Sequence, residues 1–263
     1  MDNDGFALLL RHIPPLNPMR LYNVNENGAN CDLFGMVHMD ESPAQTAPPF
    51  RWTLYSYVVT HDTGFAPNPF FGYCTLACCK PVIRRTAHLE DWVVGLSPKA
   101  EGNRVKYFMK VDEILPSFDL YWRDRKFAKK KPRYDASVVS KCGDNIYEPQ
   151  SSGEYRQLRS THSHRQTDVE DLERKAMDLR GKRILISETY AYFGAQMPEL
   201  PPSLDSLIVG RGHKCRFSDE VKVEFLRFVK SVGLGGVRAV PRQWRNGDDS
   251  WMRVCGGCAG IDR

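Results

Sequence analysis

"WTLYSYVVTHDTGFAPNPFFGYCTLACCKPVIRR", residues 52–85, decides how the rest of the chain is read. Its opening "WTLYSYVVT" crowds β-branched and aromatic side chains together as a buried strand does, so the folded domain is expected to begin here. The character then changes. Pro67 and Pro69 stiffen the backbone around Asn68, Gly64 and Gly72 permit tight bends, and Phe65, Phe70, Phe71 and Tyr73 are thereby held on a rigid loop. Flat aromatic faces beside an amide suit a base pocket, where stacking and base-edge hydrogen bonds act together. Each aromatic taken singly reads equally well as a core anchor. Lys80, Arg84 and Arg85 close the stretch and can neutralise phosphate beside such a pocket.

The cysteines allow two chemistries. Cys74, Cys78 and Cys79 lie close together, and Cys255 and Cys258 have the spacing of a zinc half-site, with His213 and Cys215 as further donors. Only that one half-site is properly spaced, so no metal or other cofactor is expected. Alternatively Cys74 is a nucleophile, with His61 and Asp62 upstream offering an imidazole and a carboxylate for its activation. The plainer reading makes Cys74 and Cys78 small buried hydrophobes.

Outside this stretch the chain divides in three. Residues 1–50 are rich in Pro, Asn and Asp without sustained periodicity and read as a poorly ordered extension. Residues 51–240 carry the periodic segments, and residues 241–263 form a Gly-rich, charged tail. No apolar run approaches the roughly 20 residues that span a bilayer. The first residues carry acids before an apolar run of about five, too short for a secretory signal. A cytoplasmic protein follows, in which the eight cysteines are thiols, ligands or reactive groups rather than structural disulfides. The net charge of +5 permits an anionic partner without requiring one.

The remaining patterns outline an α+β domain. "DWVVGLS" (91–97) and "RVKYFMKVDEIL" (104–115) read as strands of a hairpin joined by "PKAEGN", and Ser117 caps a short helix over "FDLYW". The segment 123–133 holds seven basic residues against one acid, either a solvated loop or a surface that tracks a nucleic-acid backbone. Residues 155–166 read as a long surface loop with His162 and His164 exposed. Thr167 and Glu170 form a capping box for a helix that Gly181 ends in the left-handed conformation. "RILIS" (183–187) is a strand, and a second amphipathic helix runs from Ser218 to a stop at Gly233. This order predicts a curved, barrel-like mixed β-sheet with helices at its margin.

The ordered set "LYSYVVTHDTGFAPNPFFGYCTLACCKPVIRRTA", "DWVVGLSPK", "VKYFMKVDEIL", "FDLYW", "DNIY" and "ILISETYAYFG" resembles the type 2 nucleotide modification associated domain over residues 52–240. That family of bacteria and phages is proposed, from gene context, to act with systems that modify bases in DNA. The polar positions matching its pattern are Asp62, Asn68, Cys74, Thr75, Cys78, Lys80, Arg84, Asp91, Asp144 and Asn145, while Glu90 stands where glycine is usual. At fold level the chain is also similar to the PUA-like group, including EVE, YTH and ASCH domains, which bind modified or flipped bases. The resemblance implies a nucleotide or nucleic-acid partner, DNA favoured, with partner enzymes of a modification system.

Two functions compete on these grounds. The favoured one is a module that binds a nucleotide or modified base through Asp62, Asn68, Phe70, Tyr73, Thr75, Lys80, Arg84, Trp92, Asp144 and Asn145. The other is a cysteine-dependent enzyme of nucleotide or DNA-base modification that uses Cys74, His61 and Asp62.

Overall fold

A computed structural model describes residues 50–244. The extension before residue 50, most of the tail and the Cys255 and Cys258 pair lie outside these described residues. The strands are β1 (Leu54–Val58), β2 (Cys74–Leu76), β3 (Trp92–Leu96), β4 (Val105–Lys110), β5 (Glu113–Leu115), β6 (Tyr147–Pro149), β7 (Tyr155–Gln157), β8 (Ile184–Ser187), β9 (Tyr190–Tyr192), β10 (His213–Lys214) and β11 (Gly236–Val237). The α-helices are α1 (Pro81–Thr86), α2 (Phe118–Arg123), α3 (Val138–Lys141), α4 (Leu172–Leu179) and α5 (Asp219–Val232).

Six strands form one mixed sheet in the order β10-β1-β3-β4-β9-β11. β1 and β3 are parallel, and the predicted β3/β4 hairpin is antiparallel, pairing Trp92 with Lys110 and Val94 with Phe108. Three strands, β2-β8-β5, form a second sheet, and β6 with β7 a small ribbon. The fold is therefore mixed α and β, as expected, but no pairing joins β10 to β11 among the described residues. The expected barrel-like closure is replaced by an open sheet. The single long strand read over residues 104–115 breaks at Val111 and Asp112, sending β4 to the large sheet and β5 to the small one.

Alternation of side chains across a strand sorts the core into layers. Tyr55, Tyr57, Val93, Tyr107 and Met109 face Cys74, Leu76 and Leu185 of the small sheet. Leu54, Trp92, Val94 and Phe108 point the other way, against Phe225, Phe228 and Val229 of α5. The far face of the small sheet, with Ala77, Cys78, Ile184 and Ile186, is covered by Phe118 and Tyr121 of α2 and by Tyr147. Gly95 is required by this packing, since a Cβ there would stand 2.3 Å from the Tyr107 ring.

Helix starts follow local chemistry. Ser117 caps α2 by accepting from the Leu120 N–H at 3.2 Å, as predicted. α5 runs from Asp219 to its stop at Gly233. α4 starts later than the capping box implied: Asp171 is its N-cap, accepting from the Arg174 N–H at 3.0 Å, while the Thr167 hydroxyl donates to the His164 carbonyl at 2.7 Å. Lys182, not Gly181, carries the positive φ beyond this helix. Glu90 has φ 73°, the backbone conformation that glycine adopts most easily. Among the described residues no helix is long and apolar enough to cross a membrane.

Candidate functional site

The junction between β2 and α1 carries the chemistry. β2 ends at Leu76, Pro81 opens α1, and between them Cys79 and Lys80 take positive φ values of 60° and 40°. Two successive non-glycine residues in the left-handed region cost about 1–3 kcal/mol each, and such strain concentrates at functional positions. The turn leaves Cys79 half-buried, whereas Cys74 and Cys78 on either side of Ala77 are fully buried.

Three side chains from distant parts of the sequence meet there. Cys79 Sγ lies 3.3 Å from His162 Nε2, and His162 Nδ1 lies 2.6 Å from Asp178 Oδ2. The other carboxylate oxygen of Asp178 accepts the Cys79 N–H at 2.7 Å, and the Tyr147 hydroxyl donates to Oδ2 at 2.8 Å. Asp178 comes from α4, and His162 from the loop after β7, where Gln157 Nε2 donates to the His162 carbonyl at 3.1 Å. The Phe65 ring packs on the imidazole with centroids 4.8 Å apart. The triad is therefore fixed from both sides.

Charge balance follows from these contacts. Burial alone would lower the His162 pKa, but the hydrogen bonds to Asp178 and Cys79, with their charges, hold it up to about 10. Burial likewise opposes ionisation of Asp178, yet the His162 hydrogen bond and charge, the Cys79 N–H and the Tyr147 hydroxyl keep that carboxyl below the usual range. An imidazolium is thus held against the Cys79 sulfur.

A cleft of about 230 Å³ opens over Cys79, walled by Tyr57, Phe65, Thr60, Thr63 and Thr161 and by His61, Lys80, His162 and Arg174. No lining residue is acidic. Lys80 Nζ lies 4.5 Å above the Tyr57 ring, and burial lowers its pKa.

Most of the residues predicted from sequence lie elsewhere. Cys74 is wholly buried, and burial pushes its thiol up to about 12, the opposite of what a nucleophile requires. His61 is exposed at the mouth of the Cys79 cleft, 3.5 Å from the Gln243 side chain. Asp62 is buried, accepting from the Tyr192 hydroxyl and from the Arg242 N–H, with Lys106 Nζ at 4.0 Å. Asn68, Thr75, Asp144 and Asn145 belong to a closed polar centre. Asp144 accepts from Thr75 and Tyr121 at 2.7 Å each. Lys130 donates to Asn68 Oδ1, to the Asn68 carbonyl and to the Tyr73 carbonyl, and burial lowers its pKa to about 8. Asn145 donates to the Tyr121 carbonyl at 2.9 Å. These groups satisfy one another within the chain.

Arg84 also faces inward. It is fully buried and donates to the carbonyls of Cys79, Arg183 and Asp178, bracing the triad rather than facing solvent phosphate. Phe70 is buried and stacks on Trp244, and the half-buried Tyr73 packs edge-on against Phe127. Trp92 lies on the α5 side of the large sheet, against Phe108 and Phe225, whereas the cleft includes Tyr57 from the opposite face. Of the predicted set only Lys80 and His61 line the cleft.

A family model described as nucleotide modification associated domain 2 matches residues 51–248. The chain belongs to that family. No curated protein and no solved structure matches it significantly. In this nucleotide modification associated domain the triad escapes the sequence, because His162 reads as part of an exposed loop and nothing local distinguishes Asp178. A local sign existed: a cysteine between a short apolar strand and a proline-started helix is where a nucleophile sits on a strained strand-to-helix turn.

Cys78 Sγ, His162 and Asp178 also offer three donor atoms within 4.8 Å of one another. His162 and Asp178 already bind each other, and burial holds the Cys78 thiol, 3.6 Å from the Asp144 carbonyl, well above its ordinary pKa. These donors fit the hydrogen-bonded triad better than an ion.

Proposed function

We propose that this domain is a cysteine-dependent enzyme of nucleotide or nucleic-acid modification, with Cys79 rather than Cys74 as nucleophile. The reading rests on one observation, the unbroken contact from Cys79 Sγ through His162 to Asp178 at the floor of a cleft without acidic residues. In this mechanism the proton resides on His162 Nε2 and the sulfur electron pair forms a bond to an electrophilic carbon of the substrate. The π electrons displaced from that carbon pass to its neighbouring heteroatom, which takes the Nε2 proton. Asp178 holds the imidazole in the tautomer and orientation that this transfer needs.

A module that only binds a modified base would leave this chain of contacts without a use. Tyr57 and Phe65 would flank the substrate group in this cleft. The setting we assign is the cytoplasm, beside partner enzymes that modify DNA bases. The test is turnover on a panel of nucleotides and oligonucleotides, followed by mass spectrometry. Cys79→Ala is expected to abolish product while retaining ligand binding, and Cys74→Ala to keep both. Full turnover by Cys79→Ala would end the proposal.

A further inference from the structure

A basic segment lies against the loop that brings His162 to the cleft. Five of the seven basic residues at 123–133 point outward without burial, but Lys130 turns into the core, and Lys131 lies with its Nζ 3.8 Å from the Trp122 ring centroid. Arg123 and Lys126 are matched to acids of their own surroundings, Asp119 and Glu113. Arg125, Lys129 and Lys131 have no carboxylate partner among the described residues. This segment meets the loop that delivers the triad histidine, since Arg159 stacks over Tyr134 at 4.2 Å. Arg159 and Arg165 flank His162 in that loop, are exposed, and are likewise without a carboxylate partner among the described residues. Cations without acid partners, backed by two aromatic rings, thus lie against the loop that carries His162 to the cleft, whose own walls add Lys80 and an Arg174 paired with Asp171 at 3.6 Å.

A free mononucleotide carries its phosphate within the reach of Lys80 and Arg174 and has no use for cations beyond Tyr134. We propose that the substrate is a strand of nucleic acid whose phosphates follow Lys129, Lys131, Arg159 and Arg165, with one unpaired nucleotide entering the Cys79 cleft. The inference rests on Cys79 being the nucleophile. A cleft of about 230 Å³ holds a group of base size, so the target base leaves any duplex before it enters.

The test uses fluorescence anisotropy with a labelled 20-nucleotide single strand, as DNA and as RNA, and with the DNA duplex. Four neutralised phosphates give a slope of log affinity on log salt near −3 for a single strand, which is roughly a 50-fold loss between 50 and 200 mM salt. Lys129→Glu/Arg165→Glu is expected to weaken binding and flatten the slope, with circular dichroism checking the fold. Cys79→Ser should keep the slope. In parallel, the oligonucleotide should protect Cys79 from iodoacetamide at concentrations where a deoxynucleoside monophosphate does not. A flat salt response, preference for the duplex, or equal protection by the monophosphate would overturn the proposal. Selective alkylation of Cys79 with a flat salt response would remove the role of the basic segment and leave the enzyme standing. A steep response without selective alkylation would do the reverse.

Discussion

Gly181→Ala opposes two effects of known sign. Gly181 ends α4 without a left-handed φ, so alanine would ordinarily stabilise by about 0.4–1 kcal/mol through the unfolded chain. Sterics point the other way. An added Cβ would stand 2.2 Å from Cζ and Nη2 of Arg84, whose guanidinium is fixed by bonds of 2.8 Å to the Cys79 carbonyl, 3.0 Å to Arg183 and 2.5 Å to Asp178. Restoring van der Waals contact moves the guanidinium by more than about 1 Å and breaks at least two of these bonds. Hydrogen bonds from a charged group are worth about 1.5–3 kcal/mol each, so the steric effect wins and the variant loses about 3–5 kcal/mol. That is a large part of the roughly 5–15 kcal/mol that holds a domain folded. Urea unfolding followed by tryptophan fluorescence measures it. The Cys79 alkylation rate should fall too, because Arg84 braces residues on both sides of the triad. In Gly181→Ala/Arg84→Met the penalty of the alanine should largely vanish, a coupling that a double-mutant cycle reads directly. Unchanged or higher stability of Gly181→Ala would refute this account of Arg84.

Other outcomes follow from the same contacts. Lys130→Met leaves the Asp144 carboxylate and three acceptors without their cation and should cost about 3–5 kcal/mol in thermal unfolding. Gly95→Ala drives a Cβ into the Tyr107 ring and should cost about 1–3 kcal/mol on denaturant titration. His162 has a pKa raised to about 10 against an unfolded value near 6.5, so its stabilisation is complete below about pH 6.5 and is lost as pH rises through 10. Asp178, held low, adds stability above about pH 4 that is lost on acidification. The stability gap between the native protein and His162→Gln should therefore be widest near pH 5–6 and close toward pH 10, as urea unfolding across that range would show.

How much could be read from the sequence depends on the distance over which each feature is decided. Local features were legible: the apolar crowding of β1, the loop that closes the hairpin of β3 with β4, the Ser117 cap, and the periodic face of α5. Each is set by a few neighbouring residues. The barrel closure failed because strand order depends on pairings across the whole domain, and the break at Val111 and Asp112 leaves no trace in an apolar run. The triad was hidden for the same reason, since Cys79 is 83 residues from His162 and 99 from Asp178. A polar loop such as "STHSH" looks solvated until Asp178 comes to meet it. Asn68, Thr75, Asp144 and Arg84 were recognisable as special polar positions, yet residue type alone does not say whether such a group faces a ligand or another buried group.

The central claim is that Cys79, paired with His162, is the reactive thiol. The most direct measurement is limited iodoacetamide labelling of the native protein between pH 5 and pH 9, with peptide mass spectrometry assigning each modified cysteine. Cys79 should label first, and in His162→Gln its rate at pH 7 should drop several-fold, because the imidazole 3.3 Å from the sulfur is then gone. Preferential labelling of another cysteine, or a Cys79 rate indifferent to His162, would contradict the claim.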